Sequence, residues 1–364
     1  MRTRSTLVGK DVGQYELVHD VPIPRAQPEQ VICRVAAIAL NPTDWKMVDF
    51  SVVPGAVGGH DFAGEVIEVG EQVTRLKKGD RVFALAIGFN SDDKATGAFA
   101  DYAITFADGA WRIPDWMSYE EASTFGVGIG TAILALYQTL GLPPPDIDGT
   151  TACKRKQKKP GYVLVSGGST ATGTIAIQLL KAADKSLRSS GFVPIVTCSR
   201  QHMDMVKSLG AAAAFDYSSP QCGSEIRRYT SGTLEYALDC ITEAGTMKMC
   251  YEAISSAGGR YVGLEPLPTH VQYTRRQVRA DWVIGRTLAG LPVRLDGAYG
   301  RPARPEDREF AKRYFPMAEK LIAKGLLKPH PLEVRDGGLG ALMDGIDDLR
   351  KGKVRGKKLV YPLA

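Results

Sequence analysis

The chain has 364 residues, enough for two domains, and its 44% apolar and 24% charged residues are ordinary for a globular protein. The formal net charge of +6 is only mildly basic, so composition does not favour a nucleic-acid partner, although it suits an acidic or phosphorylated one. Six scattered cysteines form no CxxC pair, and no segment resembles a secretion signal or reaches the ~20 apolar residues of a membrane span, so we expect a cytoplasmic protein without membrane association.

The first 140 or so residues are typical of a β-rich region. Alternating or continuous apolar runs predict strands at 31–40, 64–70 and 81–84, and another that begins within 97–102. Asn41-Pro42 is a turn signal at the end of the first of these strands. Ser118 followed by Glu121 is a capping-box pattern, and helical periodicity then continues to Leu136.

A polar segment interrupts the pattern after this helix. Three consecutive prolines, 143–145, and the basic run 154–159 flank it. A solvated loop is the simpler interpretation of the basic run, and a contact for an acidic partner is the alternative.

The segment 162–174 organises the rest of the chain. Apolar residues run into Gly167-Gly168, and an amphipathic pattern follows from Ile175. This order of strand, glycine turn and helix is typical of a dinucleotide-binding βαβ unit. The glycines let the backbone approach a pyrophosphate, and the start of the helix offers N–H groups to that anion.

Strands and helices alternate after the glycine turn, which predicts a doubly wound parallel sheet. Further strands are expected at 192–197, 213–216, 236–239, 260–264 and, last, 282–285, with helices at 203–209, 224–229 and 247–255. The C-terminal part is expected to contain a helix over 305–324 and a closing strand at 359–361. The predicted fold class is therefore α/β.

Several segments, in this order, resemble the medium-chain dehydrogenases/reductases. They are Asn41-Pro42-Thr43-Asp44, Gly59-His60-Asp61-Phe62-Ala63-Gly64-Glu65-Val66, the stretch 73–82 and the glycine turn. The resemblance covers nearly the whole chain. It implies a GroES-like catalytic domain from residues 1–140 and 294–364, a Rossmann domain from 141–293, and an active site in the cleft between them.

A narrower resemblance is carried by Gly167-Gly168-Ser169-Thr170-Ala171-Thr172, in which Thr170 replaces the usual central glycine, and by Ala237-Leu238-Asp239-Cys240-Ile241-Thr242. Together with Thr197-Cys198-Ser199, Phe215-Asp216-Tyr217 and 257–262, these segments resemble the trans-acting enoyl reductases of fungal polyketide synthesis, the lovastatin type. Such enzymes serve a synthase whose own enoyl reductase domain is inactive.

The sequence lacks the ligands of a catalytic zinc site. His60 falls where the zinc-dependent branch has its histidine, but no cysteine lies near Pro42 or within 126–130, and none lies in 84–100 for a structural zinc. We therefore predict no metal, and a hydrogen-bonded structural role for His60. Without a Lewis acid, reduction of a conjugated C=C bond is favoured over alcohol oxidation.

The end of the second strand of the dinucleotide-binding unit favours NADPH. NAD-specific sites place Asp or Glu there, whereas this chain has Ser199, Arg200, Gln201 and His202, which suit a 2′-phosphate. By resemblance, Tyr217 contacts the same phosphate. Arg200 alone would be an ordinary surface charge, and the cluster carries the prediction.

The resemblance implies the remaining site residues. At the cofactor it implies Thr43, Asp44, Trp45 and Lys46 at the nicotinamide end, Gly167, Gly168, Ser169, Thr170, Ala171 and Thr172 at the pyrophosphate, Gly263 and Leu264 near the nicotinamide ribose, and Val354 and Arg355 from the C-terminal segment. At the acyl site it implies Thr131, Ala132, Ile133, Leu134, Ala135, Leu136, Tyr137, Gln138 and Thr139, opposite Val283, Ile284, Gly285, Arg286 and Thr287.

The expected reaction is hydride addition to Cβ of an α,β-unsaturated thioester, followed by protonation at Cα. Lys46 and Thr131 are the candidate catalytic residues because a donor aimed at the thioester oxygen lowers the barrier. Lys46 holding the ribose instead is an open alternative, and water is an alternative proton source.

Three functions compete at this point. The first is a trans-acting enoyl reductase for polyketide intermediates on an acyl carrier protein domain, with Arg275, Arg276 and Arg279 as candidates for steering that acidic partner or as ordinary solvated arginines. The second is a quinone or small-enone reductase, and the third a non-catalytic NADPH-binding partner. We expect a monomer, because Pro292 and Pro302 in the loop 291–305 oppose pairing of sheet edges.

Overall fold

A computed structural model describes residues 2–145, 147, 161–185 and 192–363. The chain divides into two compact units, the first formed by Met1–Gly130, Arg286–Glu319 and Pro329–Ala364, and the second by Thr131–Gly285 and Lys320–Lys328. The domain boundaries expected after residues 140 and 293 stay a prediction. The basic run 154–159 lies outside the described residues.

The strands are, in chain order, β1 (Thr3–Asp11), β2 (Gln14–Pro22), β3 (Gln30–Ala39), β4 (Asp61–Val69), β5 (Arg81–Leu85), β6 (Tyr102–Phe106), β7 (Ala110–Arg112), β8 (Gly161–Ser166), β9 (Phe192–Cys198), β10 (Ala213–Asp216), β11 (Tyr236–Asp239), β12 (Gly259–Gly263), β13 (Val278–Trp282), β14 (Leu332–Val334) and β15 (Lys358–Pro362).

The α-helices are α1 (Pro42–Phe50), α2 (Tyr119–Ser123), α3 (Gly126–Ile133), α4 (Ala171–Lys185), α5 (Met203–Ser208), α6 (Cys222–Tyr229), α7 (Ala244–Ala253), α8 (Thr269–Gln272), α9 (Pro305–Ala323) and α10 (Gly338–Arg350). A π-helical segment, Leu134–Thr139, continues α3, and short 3₁₀ turns occupy Ala107–Gly109, Arg200–His202, Gly285–Ala289 and Gly297–Tyr299.

The first unit is built on a largely antiparallel sheet. Its strand order is β14-β15-β3-β4-β5-β7, β6 also pairs with β3, and β1 and β2 form a separate hairpin. Nearly every residue of the central strand β3 is buried, which explains its continuous apolar sequence. Trp111 is fully buried between Phe83 and Phe315, with ring centroids 5.1 and 4.6 Å away.

The second unit contains a six-stranded parallel sheet in the order β10-β9-β8-β11-β12-β13. Numbered from its own first strand, this is the 3-2-1-4-5-6 order of the Rossmann fold, and ligands bind such sheets at the carboxyl edge where the order reverses. Here the reversal falls between β8 and β11. The predicted Rossmann sheet and β-rich GroES-like region are both present.

The structure corrects several predicted elements. The strand expected to begin within 97–102 does so at Tyr102, but the last strand of the parallel sheet is Val278–Trp282 rather than 282–285. Exposed Arg279 and Asp281 gave this edge strand a polar sequence. The helix expected from 118 to 136 is broken between α2 and α3, although the capping box of Ser118 and Glu121 is present.

Other elements have no counterpart in the prediction. The sequence patterns did not indicate the β1–β2 hairpin, helices α1, α8 and α10, or strand β14. The signal Asn41-Pro42, interpreted as a turn, is instead the cap and first residue of α1. Proline suits this position because the first N–H of a helix has no partner within the helix.

Candidate active site

The glycine turn between β8 and α4 has the close backbone approach that a pyrophosphate requires. Gly167 has a positive φ of 75°, which favours glycine. A Cβ at Gly168 would lie 2.8 Å from Cβ of Val196, and one at Gly173 would lie 2.4 Å from the Gly167 carbonyl oxygen. The three glycines therefore let the turn, β9 and the start of α4 pack closely.

Thr170 closes this turn with its side chain. Its hydroxyl donates to the Gly167 carbonyl oxygen at 2.8 Å and accepts from the Gly173 N–H at 3.0 Å. The Gly167 N–H also faces the Thr197 hydroxyl at 3.3 Å. The threonine that replaces the usual central glycine thus reinforces the turn. Ser169 lies in the turn, whereas Ala171 and Thr172 open α4.

The ends of β9 and β10 form a charged cluster. Cys198 pairs with Asp216 in the parallel register, so the residues that follow both strands lie at one edge of the sheet. Arg200 Nε donates to Asp216 Oδ2 at 2.7 Å, and the Ser218 N–H and hydroxyl donate to Asp216 Oδ1 at 2.9 and 2.6 Å. The bonds from Ser218, and then that from Arg200, lower the pKa of Asp216 to about 2.

The other predicted 2′-phosphate residues lie at the same edge. The Gln201 side-chain nitrogen is 3.2 Å from His202 Nε2, within the 3₁₀ turn that also holds Arg200, and Tyr217 directly follows β10. The side chain of Tyr217 is half exposed. These side chains therefore lie on or next to the segments that follow β9 and β10.

A second part of the carboxyl edge is formed by β11 and β12. The Leu264 N–H donates to the Thr242 hydroxyl at 2.8 Å, and a Cβ at Gly263 would lie 2.6 Å from Cγ2 of Thr242. Thr242 itself adopts a positive φ of 61°. The backbone at Gly263 and Leu264 is therefore held at a fixed place on this edge.

The structure brings the two predicted acyl-binding segments of the second unit together. Thr131 is buried, and a Cβ at Gly285 would lie 3.4 Å from its Oγ1. Residues 132–137 are also buried, and burial raises the pKa of Tyr137, which keeps the phenol protonated. Val283 is buried as well, and Ile284 is partly exposed.

Helix α1, which carries Thr43, Trp45 and Lys46, is held by buried polar contacts of its first turn. The Asp44 carboxylate accepts from the Asn41 N–H at 2.6 Å and lies 2.8 Å from His60 Nδ1. The Tyr15 hydroxyl donates to the Asp44 carbonyl oxygen at 2.9 Å. Burial, and then the Asp44 carboxylate, raises the pKa of Tyr15, so the phenol remains a donor.

These contacts give Asp44 and His60 defined surroundings. Asp44 is fully buried and its carboxylate holds the helix, while Thr43, Trp45 and Lys46 are partly exposed. Lys46 Nζ lies 5.8 Å from the ring centroid of Trp45. The expected hydrogen-bonded role of His60 is confirmed on its Nδ1 side, and its Nε2 is enclosed without a hydrogen-bond partner among the described residues.

Asp61 is the centre of a second buried network in the first unit. It pairs with Lys358 of β15, accepts from Asn41 Nδ2 at 3.0 Å, and accepts from the Val127 N–H at 2.7 Å. Asp61 is fully buried and Lys358 nearly so. Gly126 is required here because a Cβ would lie 2.4 Å from the Asp61 carboxylate. One carboxylate therefore joins the starts of α1 and α3 to β15.

The predicted residues Arg286, Val354 and Arg355 occupy different surroundings in the first unit. Arg286 donates to the carbonyl oxygens of Gly88 at 2.6 Å and Phe89 at 3.4 Å, and burial lowers its pKa to about 10. Thr287 is buried beside it in the chain. Val354 packs against the core, and Arg355 is exposed.

A search of the described residues finds no group of three or more His, Cys, Asp or Glu side chains placed to hold a metal ion. Within the same residues, no helix is long and apolar enough to cross a membrane. The described cysteines, Cys33, Cys198, Cys222, Cys240 and Cys250, are free thiols. Burial raises the pKa of the Cys198 thiol to about 11, so it stays protonated.

Comparison with known proteins agrees with this architecture. Residues 27–115 match the alcohol dehydrogenase GroES-like domain. A trans-enoyl reductase of Gibberella fujikuroi is 49% identical over 98% of this chain and 99% of its own length. The chain belongs to the trans-enoyl reductases. A second trans-enoyl reductase, from a Penicillium species, is 47% identical over 99% of this chain and 98% of its own length.

The reductase also shares its fold with solved enzymes. The crystal structure of CurK enoyl reductase superposes with a TM-score of 0.74 at 16% identity and covers the whole of both chains. At that identity the likeness concerns the fold alone. The GroES-like domain match and the two trans-enoyl reductase relatives confirm membership of the medium-chain dehydrogenase/reductase superfamily and an enzymatic oxidoreductase function, and together with the solved structure they confirm the fold class.

Several contacts of the reductase were not anticipated from the sequence. Asp61 and Lys358 are 297 residues apart, so no local pattern pairs them. Asp216 was part of the family resemblance, but its contact with Arg200 was not anticipated. Arg275, a candidate for carrier steering, instead donates to the carbonyl oxygens of Ile254 and Ser255 at the end of α7.

Proposed function

We propose that this reductase uses NADPH to reduce the α,β-unsaturated thioester of a polyketide intermediate bound to an acyl carrier protein. The observation that carries the proposal is the full-length similarity, at 49% identity, to a protein named trans-enoyl reductase. The partner would be a polyketide synthase, or a hybrid of synthase and peptide synthetase.

The residues present fit a phosphorylated dinucleotide. The glycine turn leads into α4, whose first residues, Ala171 and Thr172, offer backbone N–H groups where a pyrophosphate is favoured by the helix dipole. At the edge formed by β9 and β10, the side chain of Arg200 is 85% exposed and only its Nε has a hydrogen-bond partner among the described residues. These features support NADPH, which supplies a hydride when bound.

Side chains of this chain would contact the acyl substrate in two ways, as hydrogen-bond donors and as an apolar lining. As Cβ of the thioester accepts the hydride, negative charge grows on the thioester oxygen, and a positioned donor stabilises that charge. We assign this role to Lys46 and Thr131. The buried, apolar residues 132–136 would exclude water from the acyl chain. Water remains our candidate for the proton added at Cα.

Substrate choice tests the proposed function directly. The purified chain is supplied with NADPH and crotonyl thioester, either on a carrier protein or on pantetheine, and compared with free quinones. We expect loss of NADPH absorbance with both thioesters and little with quinones. Turnover of quinones alone would replace the proposal by the alternative, an NADPH quinone or small-enone reductase.

The assignments of Lys46 and Thr131 have their own test. Removing a donor to a developing oxyanion lowers kcat by about 100-fold, so we expect Lys46→Ala and Thr131→Ala to lose turnover of an enoyl thioester at that scale. A rise in KM for NADPH with unchanged kcat in Lys46→Ala would place Lys46 at the ribose. Unchanged kinetics in both variants would refute the placement.

We further propose that the reductase works as a cytoplasmic monomer. Support for the monomer comes from Pro292 and Pro302 in the loop 291–305. Light scattering on the purified chain checks it, and a stable dimer would contradict it. Arg276 and Arg279 remain candidates for carrier contact because their side chains are exposed.

A further inference from the structure

The strongest unexplained feature is the carboxylate beside the cation proposed to bind the 2′-phosphate. Asp216 lies 2.7 Å from Arg200 Nε, at the edge where the proposed function puts a phosphate. A carboxylate repels a phosphate, so its presence there needs a physical reason.

Both carboxylate oxygens of Asp216 accept hydrogen bonds from neighbouring residues of the chain. Oδ2 accepts from Arg200, and Oδ1 accepts from the N–H and the hydroxyl of Ser218. These three bonds fix the carboxylate plane and use about three of its four acceptor sites. Asp216 also ends β10, the third strand of the dinucleotide-binding sheet, whereas the acidic residue of NAD-specific sites ends the second strand. Asp216 is therefore not equivalent to the acidic residue that reads the ribose in NAD-specific sites.

The hydrogen bond between Arg200 Nε and Asp216 also orients the Arg200 side chain. Its side chain is 85% exposed, and an exposed arginine otherwise samples many rotamers. Because Asp216 engages Nε, the plane of the guanidinium is fixed, and its outer edge, which carries one N–H of each terminal nitrogen, is not used by that bond. Such a pair of parallel N–H groups matches two phosphate oxygens. Those two nitrogens have no hydrogen-bond partner within the described part of the chain.

We propose that Asp216 is a positioning residue for cofactor selection: it holds Arg200 ready for the 2′-phosphate of NADPH. Orientation of the guanidinium outweighs the repulsion between the carboxylate and the phosphate. This inference rests on the proposed use of NADPH. It predicts that removing the charge of Asp216 weakens NADPH binding. Electrostatic repulsion alone predicts the opposite, because loss of a negative charge beside a phosphate would by itself strengthen NADPH binding.

The test compares wild type with Asp216→Asn: the dissociation constants of NADPH and NADH are measured for each by fluorescence titration. Replacing a charge-assisted bond by a neutral one about halves its strength, so we expect NADPH binding to weaken about tenfold, with NADH binding unchanged. In an Arg200→Ala background no guanidinium remains to be oriented, so Asp216→Asn should no longer weaken NADPH binding and should strengthen it slightly through the lost repulsion. The ratio of the two constants is informative because a general structural defect would weaken both cofactors.

Asp204→Asn is the matched control, because Asp204 is an exposed carboxylate in the first turn of the neighbouring helix α5. It removes the same charge and should leave both constants unchanged. Unchanged or tighter NADPH binding in Asp216→Asn overturns the inference, as does weaker NADH binding with NADPH unaffected. A wild type that prefers NADH would instead refute the proposed cofactor, so the two failures are distinguishable.

Discussion

Charged residues are used in opposite ways in the two units of the reductase. In the first unit, Asp61 and Lys358 form a buried pair that holds the starts of two helices. In the second, Arg200 and Asp216 form a pair on the surface, where the arginine is 85% exposed. Burial makes a charge costly to leave unpaired, whereas exposure leaves a charge available for a ligand. The first pair should therefore govern stability and the second should govern binding.

The largest expected effect comes from breaking the buried pair. Lys358→Met leaves the Asp61 carboxylate buried without its cation, so the free energy of unfolding should fall by about 3–5 kcal/mol in denaturant titrations. Lys357→Met is the matched control, because the neighbouring Lys357 is exposed and pairs with Glu333 at the surface. Its loss should cost at most about 1 kcal/mol. Equal losses in the two variants would contradict the distinction between buried and exposed pairs.

A smaller loss is expected where a neutral, partly buried hydrogen bond is removed. Tyr15→Phe deletes the hydroxyl that donates to the Asp44 carbonyl oxygen, and the free energy of unfolding should fall by about 1 kcal/mol. Tyr217→Phe removes a half-exposed hydroxyl and should leave stability within about 0.5 kcal/mol of wild type. A stability change in Tyr217→Phe as large as that in Tyr15→Phe would show that burial does not set the cost.

Arg200→Ala should separate binding from stability. The side chain is mostly exposed, so unfolding should change by no more than about 0.5 kcal/mol. Loss of a phosphate-binding guanidinium should nevertheless weaken NADPH about 10- to 100-fold, at 1.4 kcal/mol per factor of ten, and leave NADH unaffected. Thermal melts and cofactor titrations on the same sample give both values. An equal loss for both cofactors would exclude contact with the 2′-phosphate.

The smallest effect concerns pH. The pKa of Asp216 is lowered to about 2 in the folded chain, against about 3.9 for a free aspartate. Its contribution to stability is therefore present above about pH 4 and lost as the pH falls from 4 towards 2. A carbon-detected NMR titration should place its midpoint near 2. Ser218→Ala and Arg200→Ala should each raise that pKa, because each variant removes a hydrogen bond to the carboxylate.

Local patterns determined much of the architecture. The glycine turn, the strands at 213–216 and 236–239 and the Ser118–Glu121 capping box were all predicted within one continuous segment each. The regular alternation of predicted strands and helices was enough to predict the parallel sheet of the Rossmann fold. Elements with weak or mixed patterns were missed, such as the edge strand β13, whose alternate residues are charged because they face solvent.

The sequence by itself determined the fold class, the cofactor turn and the family, because each depends on neighbouring residues or on their order along the chain. Tertiary structure alone decided which charges are buried and what they contact. Lys357 and Lys358 are identical in local pattern, yet one is exposed and the other is paired inside the core with Asp61. Likewise, only the parallel register of β9 and β10 sets Asp216 against Arg200. The energy of a charge depends on the groups around it, and distant parts of the chain supply those groups.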